Sequence, residues 1–204
     1  MSKLYAGAAL AIVLAFLGGT YAFVQYQSAS DPFADCRNGQ IAGGKIGGPF
    51  TLVDETGKTV TDADIITRPT LVYFGYTFCP DVCPLDAMRN AEAVDILEEQ
   101  GVEVTPVFIT IDPERDTPQV LAEFTDNFHP RMIGLTGTAE QVRTASNSYK
   151  NYYKKQNSTN QYYLMDHMTF TYLILPELGF VDFYNREETA DTIAKRAACI
   201  ISKT

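Results

Sequence analysis

An uninterrupted apolar run, Leu71-Val72-Tyr73-Phe74-Gly75-Tyr76, is followed closely by Cys79-Pro80-Asp81-Val82-Cys83. A run of that kind, without polar alternation, reads as a strand buried on both faces, and such strands belong to sheets covered by helices. Beyond it, Asp81 to Glu99 mixes apolar and polar positions at helical spacing, with Leu85, Met88 and Ala91 among the former, and Gly101 stops the pattern. Two thiols one helical turn apart therefore stand at a strand-to-helix seam. A thiolate there is both a soft metal ligand and a redox nucleophile.

The rest of the chain alternates in the same way. Phe50 to Val53 and Lys58 to Val60 flank a turn rich in Asp and Gly and read as a hairpin. Strands are expected at 102–111 and 132–135, with a helix from Thr117 or Pro118 to Phe128 between them and another from Ala139 to Tyr149. Tyr152 to Tyr163 encloses a polar turn, Gln156 to Asn160, and looks like an inserted loop or hairpin. Strands at 170–175 and 180–184 and a helix at 187–200 close the chain. This order predicts an α/β protein with a mixed sheet covered on both faces: a thioredoxin-like fold with an N-terminal hairpin and an insertion.

Ahead of the domain, Leu4 to Val24 carries no charge. About 21 residues at about 1.5 Å each can cross a hydrocarbon core of about 30 Å. The expected organisation is a membrane anchor over 1–27, a small and glycine-rich tether over 28–48, and one domain over 49–204. A cleavable signal sequence ending near Ser28-Ala29-Ser30 is the competing reading. Lys3 precedes the apolar run and Asp31 and Asp35 follow it, which keeps the amino terminus in the cytoplasm and sends the domain to the far, oxidising side. A net charge of -9 and a pI near 4.7, with Lys and Arg scattered along the chain, argue against nucleic acid as a partner.

In a thioredoxin-like fold the loop after the dithiol strand opens a helix, whose unpaired amides lower the pKa of Cys79. The same fold brings the loop before the strand at 170–175 alongside that helix, and this loop holds Asp166-His167. Two thiolates and an imidazole make a three-coordinate soft site suited to Cu(I), whereas structural zinc wants a fourth protein ligand. The other histidine, His129, has no such context.

Four segments in this order, YFGYTFCPDVCP, ITIDPERDT, MIGLTGTAEQV and DHMTFTYLI, resemble the Sco/SenC copper proteins, from about Gly48 to the last helix. The resemblance implies a membrane-tethered thioredoxin-like protein that binds Cu(I) or Cu(II) through Cys79, Cys83 and His167. It also implies assembly of the binuclear copper centre of cytochrome c oxidase subunit II as the task, with other copper chaperones as further partners. The location implied is the inner membrane with the domain in the periplasm, or in the intermembrane space of a mitochondrion. Asp112 is a candidate oxygen donor or supporting group behind the ligands, and Asp116 a helix cap. Asp81 and Asp166 could tune the ligands or dock a basic partner. Relatives often carry histidine where Phe78 stands and a small or hydroxylated residue where Met168 stands. Met165 and Met168 are weak thioether donors whose simpler role is packing.

Cys36 and Cys199 fall outside the copper motif and, in an oxidising compartment, are expected to pair. Two functions remain open. One is a metallochaperone that transfers copper by ligand exchange. The other is a thiol-disulfide reductase that keeps the acceptor's cysteines reduced, for which His167 is dispensable.

Overall fold

The computed structural model describes residues 2–37, 45–157 and 162–204. The chain divides into two compact units, Met1–Ala42 with Lys203, and Gly43–Ser202 with Thr204.

The first unit is built on α1 (Ser2–Ser30), within which Gly7–Tyr26 is, among the described residues, the one helical stretch long and apolar enough to cross a membrane. The helix runs past the expected anchor boundary at 27. A 3-10 turn, Ala34–Cys36, follows, held by Asp31, whose carboxylate accepts from the Phe33 amide at 2.9 Å and from Arg37 at 2.5 Å. Part of the expected tether is thus ordered by a local Asp turn; its stretch 38–44 lies outside the described residues.

The second unit begins with β1 (Thr51–Asp54) and β2 (Thr59–Thr61), an antiparallel pair whose turn is closed by Asp54 Oδ1, which accepts from the amides of Thr56 and Lys58. A short α2 (Asp62–Ile65), not anticipated from sequence, follows at once; the Asp64 carboxylate accepts from the Thr61 amide and hydroxyl and so fixes its first turn. Then come β3 (Thr70–Gly75), α3 (Val82–Glu99), β4 (Thr105–Thr110), α4 (Pro118–Thr125), β5 (Ile133–Thr136) and α5 (Ala139–Ser148). A small separate ladder pairs β6 (Tyr153–Lys155) with β7 (Met165–His167), and β8 (Thr171–Leu175), β9 (Gly179–Tyr184) and α6 (Ala190–Ile201) complete the chain. Part of the polar turn expected between β6 and β7, residues 158–161, lies outside the described residues.

The main sheet has the order β2-β1-β5-β4-β3-β8-β9, with β3, β4 and β5 parallel and the remaining pairs antiparallel. Every residue of β3, β4 and β8 is buried. Successive strand residues point to opposite faces, so both faces of the sheet centre are covered, as in a thioredoxin-like architecture. α3 packs on α6 and on β3 and β4, α4 on β5, and α5 on β1.

Three boundaries differ from the pattern. β4 begins at Thr105, and Pro106 lies just before its pairing with β5 starts at Val107↔Ile133, where that side of β4 has no partner strand and a missing N–H is tolerated. α4 stops at Thr125, whose carbonyl accepts from both Phe128 and His129 amides and so ends the helix early. α6 begins at Ala190 because Thr189 caps it, its hydroxyl accepting from the Thr192 amide at 3.3 Å. At the end of β3 the backbone passes so close to its neighbours that a Cβ on Gly75 would lie 2.8 Å from the Tyr73 ring and 2.9 Å from Phe108. Glycine is what lets β3 reach the dithiol loop without displacing the core.

Candidate metal centre

The loop leaving β3 makes one turn, Cys79 N–H donating to Tyr76 O at 3.3 Å, and enters α3 with Asp81 at the N-cap position. Cys79 stands before the helix, half-buried, and Cys83 sits in its first turn, fully buried. The Cys83 amide donates to Cys79 Sγ at 3.3 Å, so the helix start serves as a donor to sulfur. His167, at the end of β7, places Nε2 3.4 Å from Cys83 Sγ. The ligand atoms of Cys79, Cys83 and His167 all lie within 4.8 Å of one another, and among the described residues no fourth His, Cys, Asp or Glu joins them. The expected trio is therefore assembled, although His167 arrives on a strand rather than on the loop assigned to it from sequence.

The tautomer of His167 follows from its second nitrogen. Nδ1 lies 2.8 Å from the Met168 carbonyl, which can only accept, so Nδ1 carries the proton and Nε2 turns its lone pair toward the sulfurs. The rings of Tyr73 and Tyr76 meet the imidazole edge-on, at 6.3 and 5.9 Å between centroids and near-perpendicular planes, and fix its orientation.

The sulfurs are unequal. The Cys83 thiol hydrogen-bonds to Cys79 and, against the opposing effect of partial burial, draws its pKa down to about 3, helped by His167 and by the amides of Asp81 and Cys83. Cys83 moves up, through the same bond to Cys79 and through burial. The pair is one thiolate at the opening and one thiol behind it. Behind Cys83, the Tyr73 hydroxyl donates to the buried Asp86 at 3.0 Å, and burial raises the Asp86 pKa despite Arg89 beside it. Asp86 repeats the buried spacing of α3 through Cys83, Ala87, Asn90 and Val94. A carboxylate on an otherwise inward stripe was the signal in the sequence that could have marked it.

Asp116 does not cap α4. Thr117 does so, its hydroxyl accepting from the Val120 amide, while Asp116 is fully buried and accepts from the Thr77 amide at 3.0 Å, the Thr77 hydroxyl at 2.6 Å and the Thr110 hydroxyl at 2.5 Å. It ties the dithiol loop to the end of β4, a long-range role that sequence spacing does not reveal. Burial raises its pKa. Asp112 lies outside the ligand cluster; one oxygen accepts from Tyr163 OH at 2.7 Å and the other from Arg115 Nε at 2.5 Å. The Arg115 guanidinium in turn covers the rings of Tyr163, Phe78 and Tyr76 at 3.6, 4.6 and 5.8 Å. Asp112 thus holds Arg115 over these rings, and both of its oxygens are engaged in doing so.

Asp81 is exposed with no side-chain cap bond, and Asp166 accepts from Gln156 at 2.6 Å. Met165 is buried and Met168 exposed. His129, set aside from sequence, meets Asp95 and Glu98 within 4.8 Å. There Nδ1 accepts from the Arg131 amide at 3.0 Å, so Nε2 bears the proton and faces Asp95, and Glu98 is engaged by Arg131. That group is an ion-pair cluster with no histidine lone pair to give a cation. Of the four cysteines in the chain, Cys79 and Cys83 are free, while Cys36 and Cys199 are each disulfide-bonded.

Comparison with known proteins places the site in context. The SCO1/SenC family pattern matches residues 38–202. Protein SenC of Rhodobacter capsulatus is 53% identical over 201 residues, covering 98% of this chain and 91% of that one. ScoI of Arabidopsis thaliana, solved with copper bound, superposes with a TM-score of 0.73 at 42% identity, over 77% of this chain and 99% of the other. Yeast Sco1 with copper bound gives 0.69 at 36% identity, over 78% and 88%.

Proposed function

Because this chain belongs to the SCO1/SenC family, we propose that it is a membrane-anchored copper carrier that loads the binuclear copper centre of cytochrome c oxidase subunit II. The observation that carries the reading is the trio of soft donors within 4.8 Å, with the His167 Nε2 lone pair turned toward the sulfurs by the Nδ1 bond to Met168. Two sulfurs and one imidazole suit Cu(I), and a site joined by no fourth His, Cys, Asp or Glu among the described residues fits a cargo that must leave again. Cys79 and His167 are the half-exposed donors and Cys83 lies buried behind them, so an acceptor thiolate enters at the Cys79 side and ligands exchange one at a time. In this reading Gly7–Tyr26 anchors the chain, the domain stands on the periplasmic side, and Cys36 closes on Cys199.

The dithiol also supports a second reading, because an accessible sulfur stands in front of a buried one. The Cys79 thiolate would attack an acceptor disulfide and release one acceptor thiolate. Cys83, losing its proton, would then displace the second, leaving Cys79–Cys83 oxidised and the acceptor reduced. The two readings separate on His167→Ala, compared with Cys79→Ser and Cys83→Ser. The carrier reading expects all three to lose copper and to fail to restore oxidase activity in a strain lacking the gene. Restoration by His167→Ala alone, with both cysteine variants inactive, leaves the reductase as the function.

A further inference from the structure

The chain is acidic overall, yet from Gln141 to Met165 it contains no Asp or Glu and four cations, Arg143, Lys150, Lys154 and Lys155. Folding brings three of them, Arg143, Lys154 and Lys155, to one cleft. Arg143 projects from α5, Lys150 follows that helix, and Lys154 and Lys155 lie on β6, all four exposed. Lys155 is engaged by Glu114 at 2.8 Å; among the described residues Arg143, Lys150 and Lys154 have no acidic partner. Between α5, β6 and the loop after β4 lies a cleft of about 430 Å³, whose lining includes Arg143, Asn147, Asn151, Lys154 and Lys155 together with two carboxylates, Asp112, held by Arg115 and Tyr163, and Glu114, held by Lys155. Asn151 is buried beneath it with neither end of its amide hydrogen-bonded. A buried amide in that condition costs stability unless something completes it.

The position of the cleft gives it meaning. β6 is paired directly with the strand that carries the histidine, Tyr153 opposite His167, Lys154 opposite Asp166 and Lys155 opposite Met165, so Lys154 and Lys155 lie about one strand spacing, ~5 Å, from that strand. Tyr152, Tyr162 and Met168, which flank this ladder, and Phe78 of the dithiol loop, packed against Tyr162, are exposed at 61, 64, 37 and 47%. Exposed aromatic rings, a methionine and an arginine are residue types enriched at protein-binding surfaces, whose rims are polar.

We propose that this cationic cleft docks the copper-accepting protein through an acidic surface, a carboxylate of the partner entering between Arg143 and Lys154 above Asn151. The inference rests on the carrier reading and adds the electrostatic character of the acceptor. Attraction of this kind raises association rates by about 10- to 1000-fold at low salt and fades as the Debye length shortens.

The test uses the full-length chain in detergent, loaded with Cu(I), with the apo copper domain of subunit II as acceptor. Wild type is expected to transfer copper with a rate that falls steeply as salt is raised. The Arg143→Glu/Lys154→Glu double variant is expected to bind copper and yield it to bathocuproine disulfonate like wild type. Its transfer to the protein acceptor should be slower by about tenfold at low salt, with the salt dependence flattened. Wild type and variant transferring alike overturns the docking inference and leaves the carrier reading standing. No transfer by wild type at any salt sinks the carrier reading, and the inference falls with it. In phosphatidylglycerol vesicles, inhibition of wild type that the double variant escapes would assign the face to anionic lipid and overturn the protein-docking inference.

Discussion

Asp116→Ala should loosen the dithiol loop from a distance. The buried carboxylate accepts three hydrogen bonds, two of them from Thr77, two residues before Cys79. Truncation leaves the Thr77 amide, which cannot rotate away, without a partner, at a cost of about 1 to 3 kcal/mol, and removes two hydroxyl bonds worth about 0.5 to 1.5 kcal/mol each. Part of this is returned, because burial already disfavours the ionised carboxylate and raises its pKa. We expect a net loss of about 3 kcal/mol, which for a protein of this size lowers Tm by about 6 to 12 °C. Asp116→Asn, which keeps the shape but sets an NH2 against a donor, should fall between. The assay is a thermal melt of the full chain in detergent, followed by Cu(I) competition with bathocuproine at a temperature where the variant is folded; weaker retention is expected. The reasoning is refuted by a Tm drop below about 2 °C. Strict additivity of Asp116→Ala with Thr77→Val would refute it too, since groups that share a hydrogen bond couple.

Gly75→Ala should cost about 1 to 3 kcal/mol through overpacking, since its Cβ would meet Tyr73 and Phe108 below 3.0 Å; an unchanged denaturation midpoint would contradict this. In the reduced protein Cys79 should be alkylated by iodoacetamide before Cys83, at a rate nearly independent of pH from about 5 to 8, where an ordinary thiol gains about tenfold per unit. The sign for stability follows from the lowered pKa of Cys79: its contribution is present in full above the ordinary thiol pKa and is lost as pH falls toward about 3. Stability that rises on acidification from pH 8 to 5 at this site, measured against Cys79→Ser, would contradict that sign. Peptide mapping without reductant should recover Cys36 linked to Cys199; the crosslink closes a loop long enough to contribute on the order of 5 kcal/mol in the chain-entropy description. Finding both as free thiols removes that crosslink from the account.

Much of the architecture was written in local pattern. β3 falls where the apolar run lies, and α3 and α5 fall within a residue of the helices expected at 81–99 and 139–149. α2 was missed because a single turn has no periodicity to read; only the pairing of Thr61 with Asp64 makes it. The Asp116 assignment failed for a related reason. An acidic residue before Thr-Pro has the local signature of a cap, and nothing nearby in sequence announces that Thr77 and Thr110 will claim it. His129 has no carboxylate beside it in sequence; Asp95 and Glu98 reach it only because α3 passes the turn after α4.

The sequence by itself determined the strand-helix alternation, the apolar leader and the residue types at the centre: two sulfurs at helical spacing and one histidine far along the chain. These depend on periodicity and side-chain chemistry, which are properties of short segments. Tertiary structure alone decided which imidazole nitrogen faces the sulfurs, which sulfur is exposed, how Asp112 and Asp116 are engaged and that Arg143 shares a cleft with Lys154 and Lys155. Each of these depends on hydrogen-bond partners and burial supplied by segments distant in sequence. Such contacts exist only once the sheet has closed around them.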